Sequence, residues 1–188
     1  AVLEEREPVV AWVIDDTGFL KQGKHSVGVQ RQYTGSAGKT ANCQVAVSLS
    51  VTTRTQHLPI DFALYLPEVW TEDAERRQKV RIPLDTVFKT KHDIALDMIE
   101  QAARDGIPGT VLLADSFYGH SRPFRGAVKL LGFDYGMAIY ASDKMWTLDR
   151  AGHRQGDPRT AKEIAHALGP KALSYTHLRA HETDSYLV

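Results

Sequence analysis

The sequence predicts an α/β fold with one mixed sheet of antiparallel and parallel strands. Two apolar runs end in aspartate: VVAWVI (9–14) precedes Asp15 and Asp16, and TVLLAD (110–115) ends in Asp115. Between them lie two segments with period-two alternation, and helical patterns alternate with strands in the second half. That alternation of helix and strand favours parallel pairing there.

The first half of the predicted sheet is one strand followed by an antiparallel hairpin. We expect the first strand to end at Asp15 and Asp16, and the glycine-rich, basic stretch after it to be a loop or short hairpin. Two later segments alternate apolar and polar residues, which predicts strands with one apolar face each. The apolar sets are Val45, Val47, Leu49 and Val51 in the first, and Leu58, Ile60, Phe62, Leu64 and Leu66 in the second.

Two capped amphipathic helices and two strands are predicted to complete the domain. Thr90 with Asp93 forms a capping box, and Ser121 with Pro123 opens the second helix. The first helix has an apolar face of Ile94, Ala95, Met98, Ile99 and Ala102, and the second one of Phe124, Ala127, Val128 and Leu131. Residues 67–83 are predicted to be a surface excursion, and 134–141 a last strand. This order predicts an RNase H-like mixed sheet with flanking helices, incomplete at the C-terminus.

Composition excludes some classes of protein but indicates no partner. The 188 residues are 43% hydrophobic and carry zero net charge. Cys43 is the only cysteine, which excludes a disulfide framework and a cysteine-based zinc site. No apolar run approaches the roughly 20 residues of a membrane span. The start, AVLEEREPVV, has neither the basic nor the apolar region of a signal peptide and no initiator methionine, so we expect a cytoplasmic protein cut from a longer chain.

Asp16 and Asp115 are the candidate metal ligands. Each follows an apolar strand, and ligands of open α/β sheets gather at the carboxyl ends of strands. Carboxylates suit a hard cation such as Mg²⁺. Either aspartate alone is more typical of a turn or cap, and only the pair in this strand order favours a metal site. Asp15 and Thr17 could support it, and Tyr118 could shape it or simply belong to a turn.

A basic stretch beside these aspartates is a candidate DNA contact. No Asp or Glu occurs from Thr17 to Ile60. Local positive charge suits a phosphate backbone, although a solvated loop is an equal alternative. The candidate DNA-binding residues are Lys21, Lys24, His25, Arg31 and Lys39.

GSAGKT (35–40) superficially matches a nucleotide-binding P-loop. The pattern requires glycine at position 33, which is Tyr33, and a helix should follow where an alternating strand is predicted. We therefore reject a P-loop NTPase.

Two segments carry a family resemblance: DDTGFLKQGKHSVGVQRQYTGSAGKTANCQ (15–44) and LLADSFYGHSRPFRGAVKLLGFDYGMAI (112–139). Over roughly residues 8 to 146 the chain resembles DDE superfamily insertion-sequence transposases of bacteria. Asp16 matches the first catalytic aspartate of that family and Asp115 the second. The resemblance implies two Mg²⁺ or Mn²⁺ ions, cleavage of transposon ends, joining to target DNA, and a homo-oligomer of the intact protein.

The third carboxylate of that family, a glutamate on a later helix, has no clear match here. Glu163 lies in RTAKEIAHALG, which lacks the aromatic residue and arginine of the family motif, and Glu182 lies in the C-terminal segment. We interpret 1–142 as a partial catalytic domain, 143–173 as the start of an insertion, and 174–188 as a non-native or disordered tail. We expect this fragment to be inactive, with a non-catalytic DNA-binding fragment as the alternative.

Overall fold

The computed structural model describes residues 7–169, which divide into two compact units, one up to Met137 and one from Ala138 onward. The strands of the first unit are β1 (Ala11–Leu20), β2 (Gln30–Thr34), β3 (Lys39–Thr52), β4 (His57–Tyr65), β5 (Val111–Ala114) and β6 (Asp134–Met137). Its helices are α1 (Glu68–Glu72), α2 (Ala74–Val80), α3 (Lys91–Arg104), α4 (Ser116–His120) and α5 (Arg122–Leu130). The predicted tail, 174–188, lies outside the described residues.

The six strands form one mixed sheet. β1 lies at its centre, antiparallel to β3 from Ala11↔Thr52 to Leu20↔Cys43, and parallel to β5 from Trp12↔Leu112 to Ile14↔Ala114. β4 and β2 pair with β3, and β6 lies parallel to β5. This topology confirms the predicted fold class, and it puts the two aspartate-bearing strands side by side.

The core lies between one face of this sheet and helices α3 and α5. Trp12 and Ile14 of β1 pack there with Val47 and Leu49 of β3. Helix α3 begins at the predicted capping box, in which Thr90 and Asp93 bond each other's backbone, and its predicted apolar face is buried. Helix α5 begins after Ser121 and buries Phe124 and Val128. The helix predictions are therefore confirmed.

Three strand predictions are wrong in detail. β1 does not end at Asp15 and Asp16, because ladder pairing with β3 continues to Leu20. β4 does not keep a single apolar face. Its pairing with β3 is irregular at Ile60, so Ala63 and Tyr65 pack on the core while Phe62 and Leu64 are exposed. The last strand is shorter than predicted and ends at Met137.

The surface excursion at 67–83 contains α1 and α2 and anchors the basic loop before β2. Trp70 of α1 is fully buried, and its Nε1 donates to the Val29 carbonyl at 2.9 Å. Gln44 Nε2 donates to the Val27 carbonyl at 2.6 Å. Asn42 Nδ2 donates to the carbonyls of Lys21 and Gly23. The loop is therefore held at several backbone positions.

The second unit contains a hairpin of β7 (Lys144–Leu148) and β8 (Arg154–Thr160), followed by helix α6 (Ala161–Leu168). The two units are defined by their compactness and not by their function. The predicted division into a partial catalytic domain (1–142) and the start of an insertion (143–173) therefore stays a prediction. Within residues 7–169 no helix is long and apolar enough to cross a membrane.

Candidate active site

Asp16 lies within β1, and both of its carboxylate oxygens are engaged. Strand alternation places its side chain on the face of Trp12 and Ile14, toward the helices. Oδ1 accepts a hydrogen bond from the Tyr118 hydroxyl at 2.6 Å. Oδ2 forms an ion pair with Nζ of Lys91, the first residue of α3. The Asp16 and Lys91 side chains are 21% and 20% exposed, so the pair is largely shielded from water.

Tyr118 is fully buried in α4 and keeps its proton. Burial, and after it the negative charge of Asp16, raise its pKa far above the ordinary value; Asp115 and Asp15 add to the rise. Its ring packs against those of His92, Phe117 and Phe124 at centroid distances of 5.2–5.4 Å. The hydroxyl is thus a fixed hydrogen-bond donor to Asp16.

Asp115 follows β5 directly and caps helix α4. Its Oδ1 accepts from the backbone N–H groups of Phe117 and Tyr118 at 3.0 and 3.3 Å, and the residue is exposed. Tyr118 therefore contacts both candidate ligands, Asp115 through its backbone and Asp16 through its hydroxyl. Capping a turn or helix is the common structural role of an aspartate at a strand end, as an alternative to binding a metal. Here the two cap hydrogen bonds also orient the Asp115 carboxylate.

Asp15 and Thr17 lie on the opposite face of β1 from Asp16, because the strand continues through them. The Asp15 carboxylate accepts from the Asp16 N–H at 2.7 Å, and its carbonyl accepts from Ser48 Oγ at 3.3 Å. Their supporting role stays a prediction.

The five candidate DNA-binding residues are all exposed, in the loop before β2, in β2 itself and at the start of β3. Near His25, helix α2 adds Arg76 and Lys79, which line a cavity of about 320 Å³ with Trp70 and Val80. The Arg76 guanidinium lies 3.5 Å from the centroid of the Trp70 ring. DNA contact by this surface stays a prediction.

Residues 35–40 do not form a phosphate-binding loop leading into a helix. Gly35–Ala37 is a single 3₁₀ turn, Gly38 is left-handed, and Lys39 begins β3. The rejection of a P-loop is confirmed.

The carboxylate oxygens of Asp16 and Asp115 fit a hard cation, but these two residues would supply only part of its ligands. Residues 7–169 contain no cluster of three or more His, Cys, Asp or Glu side chains able to hold a metal. Glu163 is exposed and caps its own helix, since its carboxylate accepts from the N–H and hydroxyl of Thr160 at 2.8 and 2.9 Å. Glu182 lies outside the described residues.

Lys91 is the site residue that the sequence did not predict. A lysine directly after a helix cap is an ordinary surface residue by local pattern. Its partner Asp16 is 75 positions away, so only the packing of α3 against the sheet brings the two charges together.

A family model described as "DDE superfamily endonuclease" matches residues 1–185. The chain is also 31% identical over 139 residues to the "Probable transposase for insertion sequence element IS701" of Microchaete diplosiphon. That match covers 73% of this chain and 34% of the relative, so the chain spans about a third of that protein's length. No solved structure gives a significant match. Since the family model covers nearly all of the sequence, the chain belongs to the DDE superfamily of endonucleases.

Proposed function

We propose that this chain is part of a DDE-type transposase and supplies two of its catalytic carboxylates, Asp16 and Asp115. The observation that carries the proposal is that one buried residue, Tyr118, contacts both of them. Family membership and the similarity to a curated transposase support it. The reaction proposed for the whole protein is DNA strand cleavage followed by joining to target DNA.

Asp16 and Asp115 are the residues that would hold divalent ions, two of Mg²⁺ or Mn²⁺ in the whole protein. When bound, such ions activate the attacking oxygen and stabilise the leaving oxygen of a phosphodiester. The protein's own contribution is orientation. Tyr118 fixes one oxygen of Asp16, and the N–H groups at the start of α4 fix Asp115.

DNA is the proposed partner, as transposon ends and as target, and the whole protein is proposed to act as a homo-oligomer. The cations Lys21, Lys24, His25, Arg31 and Lys39 would contact the phosphate backbone, and binding through them would weaken as salt increases. A non-catalytic DNA-binding fragment is the alternative, and it predicts that the aspartates have no role in metal binding.

The direct experiment is a Mn²⁺ titration followed by electron paramagnetic resonance. Asp16→Asn and Asp115→Asn should each weaken Mn²⁺ binding by about tenfold or more, because loss of mere supporting contacts already costs that much at metal sites. Asp15→Asn should weaken it less, because its side chain points to the other face of β1.

Asp61→Asn, an exposed change on β4, is the control and should leave binding unaltered. Equal losses from Asp15→Asn and Asp16→Asn would contradict the assignment of Asp16. Binding that survives both Asp16→Asn and Asp115→Asn would favour the non-catalytic alternative.

A further inference from the structure

Lys91 is a cation already paired with Asp16, the first of the two proposed metal ligands. Its ammonium pairs with Oδ2 of Asp16, while Oδ1 holds the Tyr118 hydroxyl. A cation that approaches Oδ2 of Asp16 therefore competes with the Lys91 ammonium for the same oxygen.

Local helix energetics do not account for this lysine. Lys91 is the first residue of α3, where the helix dipole disfavours positive charge. Its ammonium also lies 4.3 Å from the centroid of the Phe117 ring, so the Lys91 side chain packs against the protein and does not extend into solvent. Asp16 is the group that compensates the charge.

A neighbouring ion pair shows the contrast. Lys89 pairs with Asp97, but those side chains are 47% and 56% exposed. Exposed pairs are screened by water and salt and contribute little, whereas a shielded pair is screened less. Lys91 and Asp16 therefore interact more strongly than an ordinary surface pair.

We propose that Lys91 is a built-in counter-ion of Asp16 that a divalent cation must displace in order to bind. The proposal rests on the proposed function, since it takes Asp16 as a metal ligand. In the metal-free protein Lys91 compensates the charge of Asp16, and Tyr118 contacts both Asp16 and Asp115. Lys91 is thus a positioning residue that stabilises the site without metal and lowers its metal affinity.

The test compares Lys91→Met with Lys89→Met, a matched loss of a nearby paired lysine. Without metal, Lys91→Met should unfold at a lower temperature than Lys89→Met, because Asp16 loses its counter-ion. In a Mn²⁺ titration, Lys91→Met should bind about tenfold more tightly than wild type, because an opposite charge at contact distance shifts ionic equilibria by at least that factor. Lys89→Met should bind like wild type, and Lys91→Arg should stay close to wild type because it keeps the charge.

Opposite effects on metal-free stability and Mn²⁺ affinity distinguish this role from a merely structural one. Unchanged or weaker Mn²⁺ binding by Lys91→Met would overturn the proposal. If Lys91→Met does not fold, the wild-type Lys91 ammonium signal can be followed by ¹⁵N NMR during a Mg²⁺ titration. The signal should shift with the midpoint of Mg²⁺ binding, and a signal that stays in place at saturation would overturn the proposal.

Asp16→Asn separates this inference from the proposed function. Loss of Mn²⁺ binding in Asp16→Asn, with wild-type binding in Lys91→Met, would retain Asp16 as a ligand and overturn the counter-ion role. Wild-type Mn²⁺ binding in Asp16→Asn would overturn both.

Discussion

Among individual residues, Tyr118 contacts both candidate metal ligands, Asp16 and Asp115. Its hydroxyl is a buried donor whose acceptor is a carboxylate, and hydrogen bonds to charged groups are stronger than neutral ones. Burial keeps the group protonated where an exposed tyrosine would ionise. Tyr118 is therefore both a packed residue of the core and the hydrogen-bond donor that orients Asp16.

Replacing Tyr118 by Phe should lower the free energy of unfolding at pH 7 by about 1–3 kcal/mol, because Asp16 loses a charge-assisted hydrogen bond. Because the folded-state pKa of Tyr118 is raised, its contribution to stability is complete below the unfolded-state pKa of about 10 and declines at higher pH. Wild type should therefore lose more stability between pH 9 and 10.5 than Tyr118→Phe does. Urea unfolding at these pH values measures both effects.

Tyr33→Phe, in the exposed part of β2, is the control and should change little at pH 7. Equal costs for Tyr118→Phe and Tyr33→Phe would show that the hydroxyl contact with Asp16 does not stabilise the protein.

At the scale of elements, the turn between α3 and β5 packs directly against Trp12 of β1. Trp12 Nε1 donates to the Pro108 carbonyl at 2.7 Å. A Cβ on Gly109 would lie 2.4 Å from the same nitrogen, and Gly109 has φ of +137°. Glycine is required at position 109 because φ is positive and because a side chain would collide with Trp12. The strand that follows this turn, β5, is the one that Asp115 follows.

Gly109→Ala should therefore destabilise the protein more than Gly106→Ala. Both positions have positive φ, but a Cβ on Gly106 meets nothing within 4 Å. Gly106→Ala should cost about 1–2 kcal/mol from backbone strain alone. Gly109→Ala should cost about 1–3 kcal/mol more, because Trp12 must shift within a packed core. Urea denaturation measures the difference, and equal costs would show that Trp12 moves away freely.

At the scale of the whole molecule, we predict that the 188-residue chain does not nick DNA. Asp16 and Asp115 belong to the first unit, while Glu163 uses its carboxylate to cap α6. Two carboxylates hold Mg²⁺ poorly, because this ion demands near-ideal octahedral geometry, and the family resemblance implies a third carboxylate in the complete ligand set.

The measurement is a supercoiled-plasmid assay with Mg²⁺ or Mn²⁺, with Asp115→Ala run in parallel. Wild type and variant should both leave the plasmid supercoiled. Robust nicking that disappears in Asp115→Ala would show that Glu163 or Glu182 completes the site.

The sequence by itself determined five of the six strands of the first unit in their order along the chain, both capped helices, and the strands that carry Asp16 and Asp115; β2 lay in a stretch predicted only as a loop or short hairpin. These features follow from local patterns: alternation for β3, a capping box at Thr90, and short apolar runs for β1 and β5. Such signals depend on neighbouring residues only, so they are readable before the chain folds.

Only the tertiary structure decided which side chains meet at Asp16. Pairing with β3 extends β1 through Asp15 and Asp16 and therefore turns their side chains to opposite faces. The contacts of Asp16 with Lys91 and Tyr118 span 75 and 102 positions. No local period encodes contacts of that length, because they arise from how α3 and α4 pack against the sheet.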